Sequence, residues 1–224
     1  CGERTITTWH MPGANNAVLA SGRGRYVADL RLPGMCHVVI VRSPHAAARV
    51  RAVDTRAARA LPGVVDVVTG AEIVSNTQPI PEGWDTSEAG AKRVDWYALA
   101  ADRVRYVGEA VAAVVAGDRH TARAAAEAVD VDYEVLPAVV DAEAALQPSA
   151  PLVAPEWGDN ILVEDGFTSG DVDAAFAGAD HVITGAVRSQ RITGVPIEPR
   201  GIVAAYDDVD GLLTFWESTQ QPHA

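Results

Sequence analysis

The sequence of 224 residues contains only two cysteines, Cys1 and Cys36, and neither belongs to a C-x-x-C motif. Two cysteines cannot build a disulfide framework, which favours a reducing compartment, and their spacing suggests no zinc or iron–sulfur site. No apolar run approaches the roughly 20 residues that a membrane-spanning helix needs. We therefore expect a cytoplasmic protein without a membrane span.

The chain also has few basic residues, with 18 Lys and Arg against 30 Asp and Glu and a formal net charge of −12. Nucleic-acid-binding proteins carry clustered Lys and Arg that neutralise phosphates. This balance argues against a nucleic-acid partner. The acidity itself requires no explanation beyond solubility.

The usual catalytic motifs are absent as well. The sequence contains no G-x-S-x-G, no G-x-x-x-x-G-K and no H-E-x-x-H, and its six histidines show no metal-ligand spacing. These absences argue against a serine hydrolase, a P-loop enzyme and a zinc protease, and the pattern predicts no metal-ligating residues.

What is present is an alternation of apolar strand patterns with short helical ones. Strands are predicted over 25–32, 36–43, 49–55, 64–70, 110–116 and 131–137, and helices over 55–61, 119–129 and 141–146. Asp118 is a plausible N-cap of the Ala-rich helix, and residues 72–102 show no period. The mixed connections predict an α+β fold.

A proline-rich stretch, residues 147–160, predicts a linker. Beyond it we expect a short helix over 171–179 capped by Asp171, a long strand over 181–193, and a terminal hairpin in "IVAAYDDVDGLLTFWES". The domain limits that we predict are a poorly ordered segment 1–21, a domain 22–146, the linker 147–160 and a β-rich segment 161–224.

Two polar positions are candidates for a site. Glu198 lies between two prolines in the bend "GVPIEPRG", where a stiff backbone could aim it at a ligand, although an ion pair with Arg200 that braces the bend is the more ordinary interpretation. Gln220 follows the last strand and could present its amide to a ligand, although by composition alone an ordinary polar loop residue is the better interpretation. From the residues alone, the chain is an α+β domain followed by the opening of a β-rich one.

Three blocks of the chain resemble one known family. "GRGRYVADLRLPGMCHVVIVRSPHAAARVRAVDTRAARALPGVVDVVTGAEI" and "VRYVGEAVAAVVAGDRHTARAAAEAVDVDYEVLPAVVDAEAAL" are similar to the a/b hammerhead domain of the molybdenum-binding large subunit in the xanthine dehydrogenase and aldehyde oxidase family. "IEPRGIVAAYDDVDGLLTFWESTQQPH" resembles the start of the molybdopterin-binding domain that follows. The resemblance covers roughly residues 22–223 and implies an a/b hammerhead domain followed by the opening β-rich segment of the cofactor domain.

The resemblance implies a molybdenum hydroxylase that inserts water-derived oxygen into an aldehyde or an N-heterocycle. It further implies a molybdenum–molybdopterin cofactor, with iron–sulfur clusters and FAD on partner regions or subunits. Gln220 matches the family's "STQ" glutamine beside molybdenum, where an amide can donate a hydrogen bond without adding charge. Glu198 to Arg200 match an "EPRG" stretch that shapes the entry to the domain, and Ser43 to His45 match a structural hammerhead loop.

The family's "GGGFGGK" cofactor loop and its late glutamate base have no counterpart in these 224 residues. We expect them downstream, so that the chain is the N-terminal part of such a subunit and is inactive alone. Its expected partners are the remainder of that subunit, an iron–sulfur subunit, an FAD subunit and a small-molecule substrate. The alternative is a non-catalytic, stand-alone hammerhead module used for assembly or binding.

Overall fold

The structure is a computed structural model that describes residue 18 and residues 20–81, 90–93 and 95–219. The chain divides into two compact units. The larger is Gly34–Gly170, and the smaller combines Cys1–Pro33 with Asp171–Ala224.

The larger unit consists of two antiparallel sheets with helices packed beside them. Its described strands are β1 (His37–Arg42), β2 (Ala48–Asp54), β3 (Val64–Thr69), β4 (Arg103–Val104), β5 (Ala110–Ala116) and β6 (Asp130–Val135). Its described helices are α1 (Arg56–Arg59), α2 (Gly70–Asn76), α3 (Arg119–Glu127) and α4 (Ala142–Ala145). One sheet has the order β1-β5-β3 and the other the order β4-β2-β6. The predicted α+β class is confirmed.

Strand β5 reads as an uninterrupted apolar run because both of its faces are covered. Val111 packs in one buried cluster with Ala48 and Val104. Val114 packs in another cluster, with residues of α1, β3 and α3. Successive side chains of a strand point to opposite faces, so these two valines face opposite sides. The strand therefore belongs to both hydrophobic clusters of the larger unit.

Helix α3 begins where the sequence predicts. The Asp118 carboxylate accepts hydrogen bonds from the backbone N–H groups of His120 at 2.8 Å and Thr121 at 2.9 Å, which satisfies two donors that lack helical partners. Ala122 and Ala125, one turn apart, are fully buried. The small side chains let the helix pack closely against the strands.

Helix α2 was not predicted, although the sequence holds a signal for it. Thr69 and Glu72 form a capping box, in which the threonine hydroxyl accepts from the Glu72 N–H and the glutamate accepts from the Thr69 N–H. The pattern T-x-x-E marks such a helix start. The weak apolar period after Gly70 concealed it.

The strand predicted over 25–32 is wrong. Residues Val27–Asp29 form a single 3₁₀ turn, in which the Asp29 carboxylate accepts a hydrogen bond from the Tyr26 N–H at 2.9 Å. Such a local side-chain bond to the backbone competes with strand pairing.

The long strand predicted over 181–193 is also wrong. These residues have no regular secondary structure, and their side chains are exposed, Ile183 to 94% and Val187 to 99%. A strand needs a neighbour to satisfy its backbone groups, and in the part of the chain that the structure describes no strand pairs with this segment.

The smaller unit contains helix α5 (Val172–Ala177) and the antiparallel hairpin of β7 (Ile202–Asp207) and β8 (Leu212–Glu217). Asp171 caps α5 by accepting from the Ala174 N–H at 2.9 Å, as predicted. The hairpin is also confirmed, and Ile202 pairs with Glu217 at its open end. None of the helices over the described ranges is long and apolar enough to cross a membrane.

A substitution at Gly70 tests how closely the larger unit is packed. A Cβ atom at that position would lie 2.0 Å from the Ala100 carbonyl oxygen and 2.8 Å from the Ala101 Cα, and both are backbone atoms that cannot move alone. We expect Gly70→Ala to lower the free energy of unfolding by about 3 kcal/mol, the upper range for overpacking. Urea unfolding of the chain measures this.

Gly166→Ala is the matched control, because nothing lies within 4 Å of its built Cβ. We expect that variant to unfold within about 0.5 kcal/mol of wild type. Equal stability of the two variants would contradict the close approach at Gly70.

Candidate functional site

Gln220, the predicted site residue, lies outside the described residues, which end at Thr219. The structure does describe the segment that leads to it. Strand β8 ends at Glu217 and is followed by Ser218, which lies against residues 198–201, here named the EPRG bend.

Ser218 makes three hydrogen bonds to the EPRG bend. Its hydroxyl donates to the Pro199 carbonyl at 2.8 Å and accepts from the Gly201 N–H at 3.1 Å. Its own N–H donates to the Gly201 carbonyl at 3.1 Å. A hydroxyl is suited to this position because it can donate and accept at once. The start of the "STQ" segment is thereby held against the bend.

The other end of the EPRG bend is held by Glu198. Its Oε1 accepts a hydrogen bond from the Val27 N–H at 2.8 Å, between residues 171 positions apart in the sequence. Val27 is the first residue of the 3₁₀ turn, so its N–H has no partner within that turn. Gly201 also lies close to this residue, since a Cβ there would be 3.4 Å from the Val27 Cγ1.

Glu198 therefore has a different partner from the one that the sequence suggested. The ion pair with Arg200 is not formed between these two described residues, and the carboxylate binds a backbone N–H instead. The local spacing could not reveal this partner, because Val27 approaches only through the fold.

Ser43 to His45 form a turn in the larger unit, in which Ser43 is buried and Pro44 is exposed. The Ser43 hydroxyl accepts from the His45 N–H at 3.0 Å, and the Ser43 N–H donates to the Glu109 carbonyl at 2.8 Å. The His45 ring meets the Tyr133 ring edge-on, with centroids 5.0 Å apart. These contacts are those of a structural loop.

Glu109 is a buried carboxylate that no sequence signal identified. Its side chain is only 8% exposed, its Oε2 accepts from the Arg105 N–H, and its Oε1 lies 3.9 Å from the Arg105 Nη1. Burial raises the pKa of the Glu109 carboxyl above its ordinary value, although the Arg105 N–H and charge act in the opposite direction.

Beside Glu109 is a groove of about 560 Å³ in the larger unit. Its walls include Trp96 and Tyr97, and the Arg105 guanidinium lies 5.3 Å from the centre of the Trp96 ring. Positive and negative side chains line it in similar number, so the groove favours neither an anion nor a cation. Over the residues that the structure describes, no three His, Cys, Asp or Glu side chains cluster in a way that could hold a metal ion.

Two family models match successive parts of the chain. The aldehyde oxidase and xanthine dehydrogenase a/b hammerhead domain matches residues 21–137, and the molybdopterin cofactor-binding domain matches residues 153–224. The resemblance inferred from the sequence and the predicted hammerhead fold with the start of a cofactor domain are confirmed. The predicted domain limits remain a prediction.

Relatives of known function match nearly all of the chain. The nicotine 6-hydroxylase large subunit of Paenarthrobacter nicotinovorans is 37% identical over 220 residues, which is 98% of this chain and 27% of that protein. The carbon monoxide dehydrogenase large chain of Afipia carboxidovorans is 37% identical over 215 residues, which is 90% of this chain and 26% of that protein. The chain therefore spans about a quarter of the length of these curated relatives.

A solved structure shares the fold. The crystal structure of quinoline 2-oxidoreductase from Pseudomonas putida 86 superposes with a TM-score of 0.83 at 36% identity, over 94% of this chain and 26% of that one.

The hydrogen bond from the Val27 N–H to Glu198 predicts how strongly the Val27 amide is protected from hydrogen exchange. Replacing Glu198 with Ala removes the acceptor of the Val27 N–H, and we expect that amide to exchange with deuterium about tenfold faster, as for the loss of a hydrogen bond to a charged group. Glu198→Gln keeps an acceptor oxygen and should lose less protection. The measurement is the deuterium exchange rate of the Val27 amide in wild type and both variants. Identical rates in wild type and Glu198→Ala would refute the hydrogen bond between Val27 and Glu198.

Glu109 predicts a pH dependence of stability. Because its pKa is raised in the folded state, its contribution to the free energy of unfolding is fully present below the ordinary glutamate pKa and is lost as the pH rises through the folded value. Glu109→Gln should therefore gain stability relative to wild type as the pH rises above the ordinary pKa of a glutamate and through the raised pKa of Glu109. Urea unfolding at several pH values measures the difference, with the exposed Glu164→Gln as control, and a difference that shrinks as the pH rises would show the opposite shift.

Proposed function

The chain belongs to the aldehyde oxidase and xanthine dehydrogenase family, and we propose that it is the N-terminal part of the molybdenum-binding subunit of a molybdenum hydroxylase. The observation that carries the proposal is the order of the two matched domains, hammerhead first and cofactor-binding second. In this proposal the hammerhead domain is a scaffold, and the segment after β8 brings the chain to the cofactor.

The proposed reaction is the hydroxylation of an aldehyde or an N-heterocycle. A carbon–hydrogen bond of the substrate is replaced by a carbon–oxygen bond whose oxygen comes from water, and two electrons and two protons are released. Iron–sulfur clusters and FAD on partner subunits would carry the electrons away. The molybdenum–pterin cofactor supplies the redox and Lewis-acid chemistry when it is bound.

The residues before Gln220 fit a contact with such a cofactor better than they fit direct ligation of a metal. Ser218 uses its hydroxyl on the backbone of Pro199 and Gly201, so its oxygen is already engaged. We propose that Gln220 would make the contact, because a neutral amide can donate a hydrogen bond to an oxygen acceptor of the cofactor without titrating. The chain would then bind and orient the cofactor, and residues elsewhere would handle the proton.

The proposed partners are the remainder of the molybdenum-binding subunit, an iron–sulfur subunit and an FAD subunit, in the cytoplasm. The exposed apolar side chains of residues 182–197 support the first of these. Ile183, Ile192 and Ile197 are each more than 90% exposed, and such surface usually marks an interface. We propose no single small-molecule substrate, because two relatives that are equally identical to this chain are named as a nicotine enzyme and a carbon monoxide enzyme.

The alternative, a hammerhead module without catalysis, is favoured by one observation. The larger unit holds two buried hydrophobic clusters. Gel filtration of the chain alone separates the two proposals. Aggregation that is relieved by coexpression with the downstream remainder supports the subunit, and a stable soluble monomer supports the module.

The role of Gln220 is tested in the complex coexpressed with the downstream remainder and the small subunits. We expect Gln220→Ala to retain molybdenum and to hydroxylate a panel of N-heterocycles and aldehydes about tenfold more slowly or worse, as for the loss of one oriented hydrogen-bond donor. Gln221→Ala is the neighbouring control. Wild-type hydroxylation rates in Gln220→Ala would refute the assignment.

A further inference from the structure

Residues 150–162, here named the strap, are held together by the side chain of Asn160. Its Nδ2 donates hydrogen bonds to the Ala145 carbonyl at 3.1 Å and to the Pro151 carbonyl at 3.0 Å. Its Oδ1 accepts from the Val153 N–H at 2.9 Å. Because an amide side chain can donate twice and accept as well, this one residue closes the strap on itself and on the end of helix α4.

The strap also binds two adjacent residues from an earlier part of the chain, Lys92 and Arg93. The Trp157 Nε1 donates to the Arg93 carbonyl at 3.0 Å, between residues 64 positions apart in the sequence. The Lys92 N–H donates to the Leu162 carbonyl at 2.8 Å, and its ammonium group donates to the Asp159 carboxylate. Both residues are therefore bonded to the same short segment.

Further contacts fix the strap to strand β4 and to the interior of the larger unit. The Arg103 Nη2 donates to the Leu152 carbonyl at 2.9 Å, and Ala154 is fully buried. Pro151 and Pro155 restrict the φ angles of the strap, so the chain loses less conformational entropy when the strap docks. The prolines that predict a linker in the sequence therefore also suit a docked segment.

The contacts cease immediately after the strap. Residues 163–170 are exposed and have no helix or strand structure. Within the described chain their one hydrogen bond is local, from the Gly166 N–H to the Asp165 carboxylate at 2.8 Å. The larger unit ends at Gly170, whereas the match to the cofactor-binding domain begins at residue 153, inside the strap. The first residues of that match thus lie on the larger unit.

We propose that the strap is a clamp, closed by Asn160, that holds Lys92 and Arg93 on the larger unit. In the same proposal residues 163–170, and not the proline-rich stretch, form the connection between the two units. The strap also sets one wall of the groove of about 560 Å³, because Glu156 lines that groove. This inference does not depend on the proposed function.

The first test is limited proteolysis of the chain by a protease that cleaves after glutamate. Glu156 lies in the strap and Glu164 in the connection, and both are exposed, so the two sites differ in how the backbone is held. A docked segment must unfold locally before it is cleaved. Relative to a synthetic peptide of residues 150–170, cleavage after Glu156 should be at least about tenfold slower than after Glu164, as for the loss of a few hydrogen bonds on opening. Equal relative rates would overturn the proposal.

The second test asks whether the strap opens as one body. Asn160→Ala removes three hydrogen bonds, none of which involves Lys92. We expect cleavage after Glu156 to become about tenfold faster, and the Lys92 amide, which donates to the strap, to exchange with deuterium about tenfold faster. Cleavage after Glu164 should stay within about twofold of wild type, because that site lies outside the strap.

Asn76→Ala is the matched control, since it makes the same substitution in helix α2 and should leave both readouts at their wild-type values. Should Asn160→Ala fail to fold, Trp157→Phe is the second variant, because it keeps an aromatic ring and loses the Nε1 donor to the Arg93 carbonyl. Faster exchange of the Lys92 amide in the variant that folds supports the proposal, and an unchanged rate overturns it.

Discussion

The smaller unit depends on polar bonds across its EPRG bend, because it has little apolar burial. Among its described residues, Val203 is the buried hydrophobic side chain, at 9% exposure, while the isoleucines before the bend are exposed. The hydrogen bonds of Glu198 to Val27 and of Ser218 to Pro199 and Gly201 supply the constraint that a hydrophobic core would otherwise supply. The hydrogen bond to the Glu198 carboxylate is of the charge-assisted kind, which is stronger than a bond between neutral groups.

The larger unit is stabilised instead by the packing of buried apolar side chains. Strand β5 contributes Val111 to one buried cluster and Val114 to the other, and the close approach of Gly70 to Ala100 leaves no room for a side chain. The buried Glu109 is the exception, and it is tolerated because a backbone N–H and a nearby guanidinium offset its desolvation. A dense core of this kind suits a scaffold.

These two kinds of constraint fit the division of work that we propose. In the proposal the hammerhead domain is a scaffold that needs no reactive groups. In that proposal the chemistry would belong to the cofactor and to other regions of the subunit, since the chain spans about a quarter of the length of its relatives.

The sequence by itself determined the structural elements that depend only on residues close to one another in the chain. The apolar run of β5, the Asp118 and Asp171 caps and the turn of the terminal hairpin each depend on neighbouring residues, and each is present in the structure. The quoted motifs were also sufficient to identify the family, because they are ordered blocks of sequence. The role of Gln220 was inferred in the same way and stays a prediction.

Tertiary structure decided whatever depends on a partner distant in the chain. A strand pattern at 181–193 cannot form a strand without a neighbour to pair with, and the described strands provide none. Glu198 was expected to face Arg200, but Val27 is brought to it from 171 residues away. Ser218 carried no signal at all, because a serine after a strand is ordinary in sequence. Its importance comes from the hydrogen bonds of its hydroxyl to the EPRG bend, and only the folded backbone brings the two together.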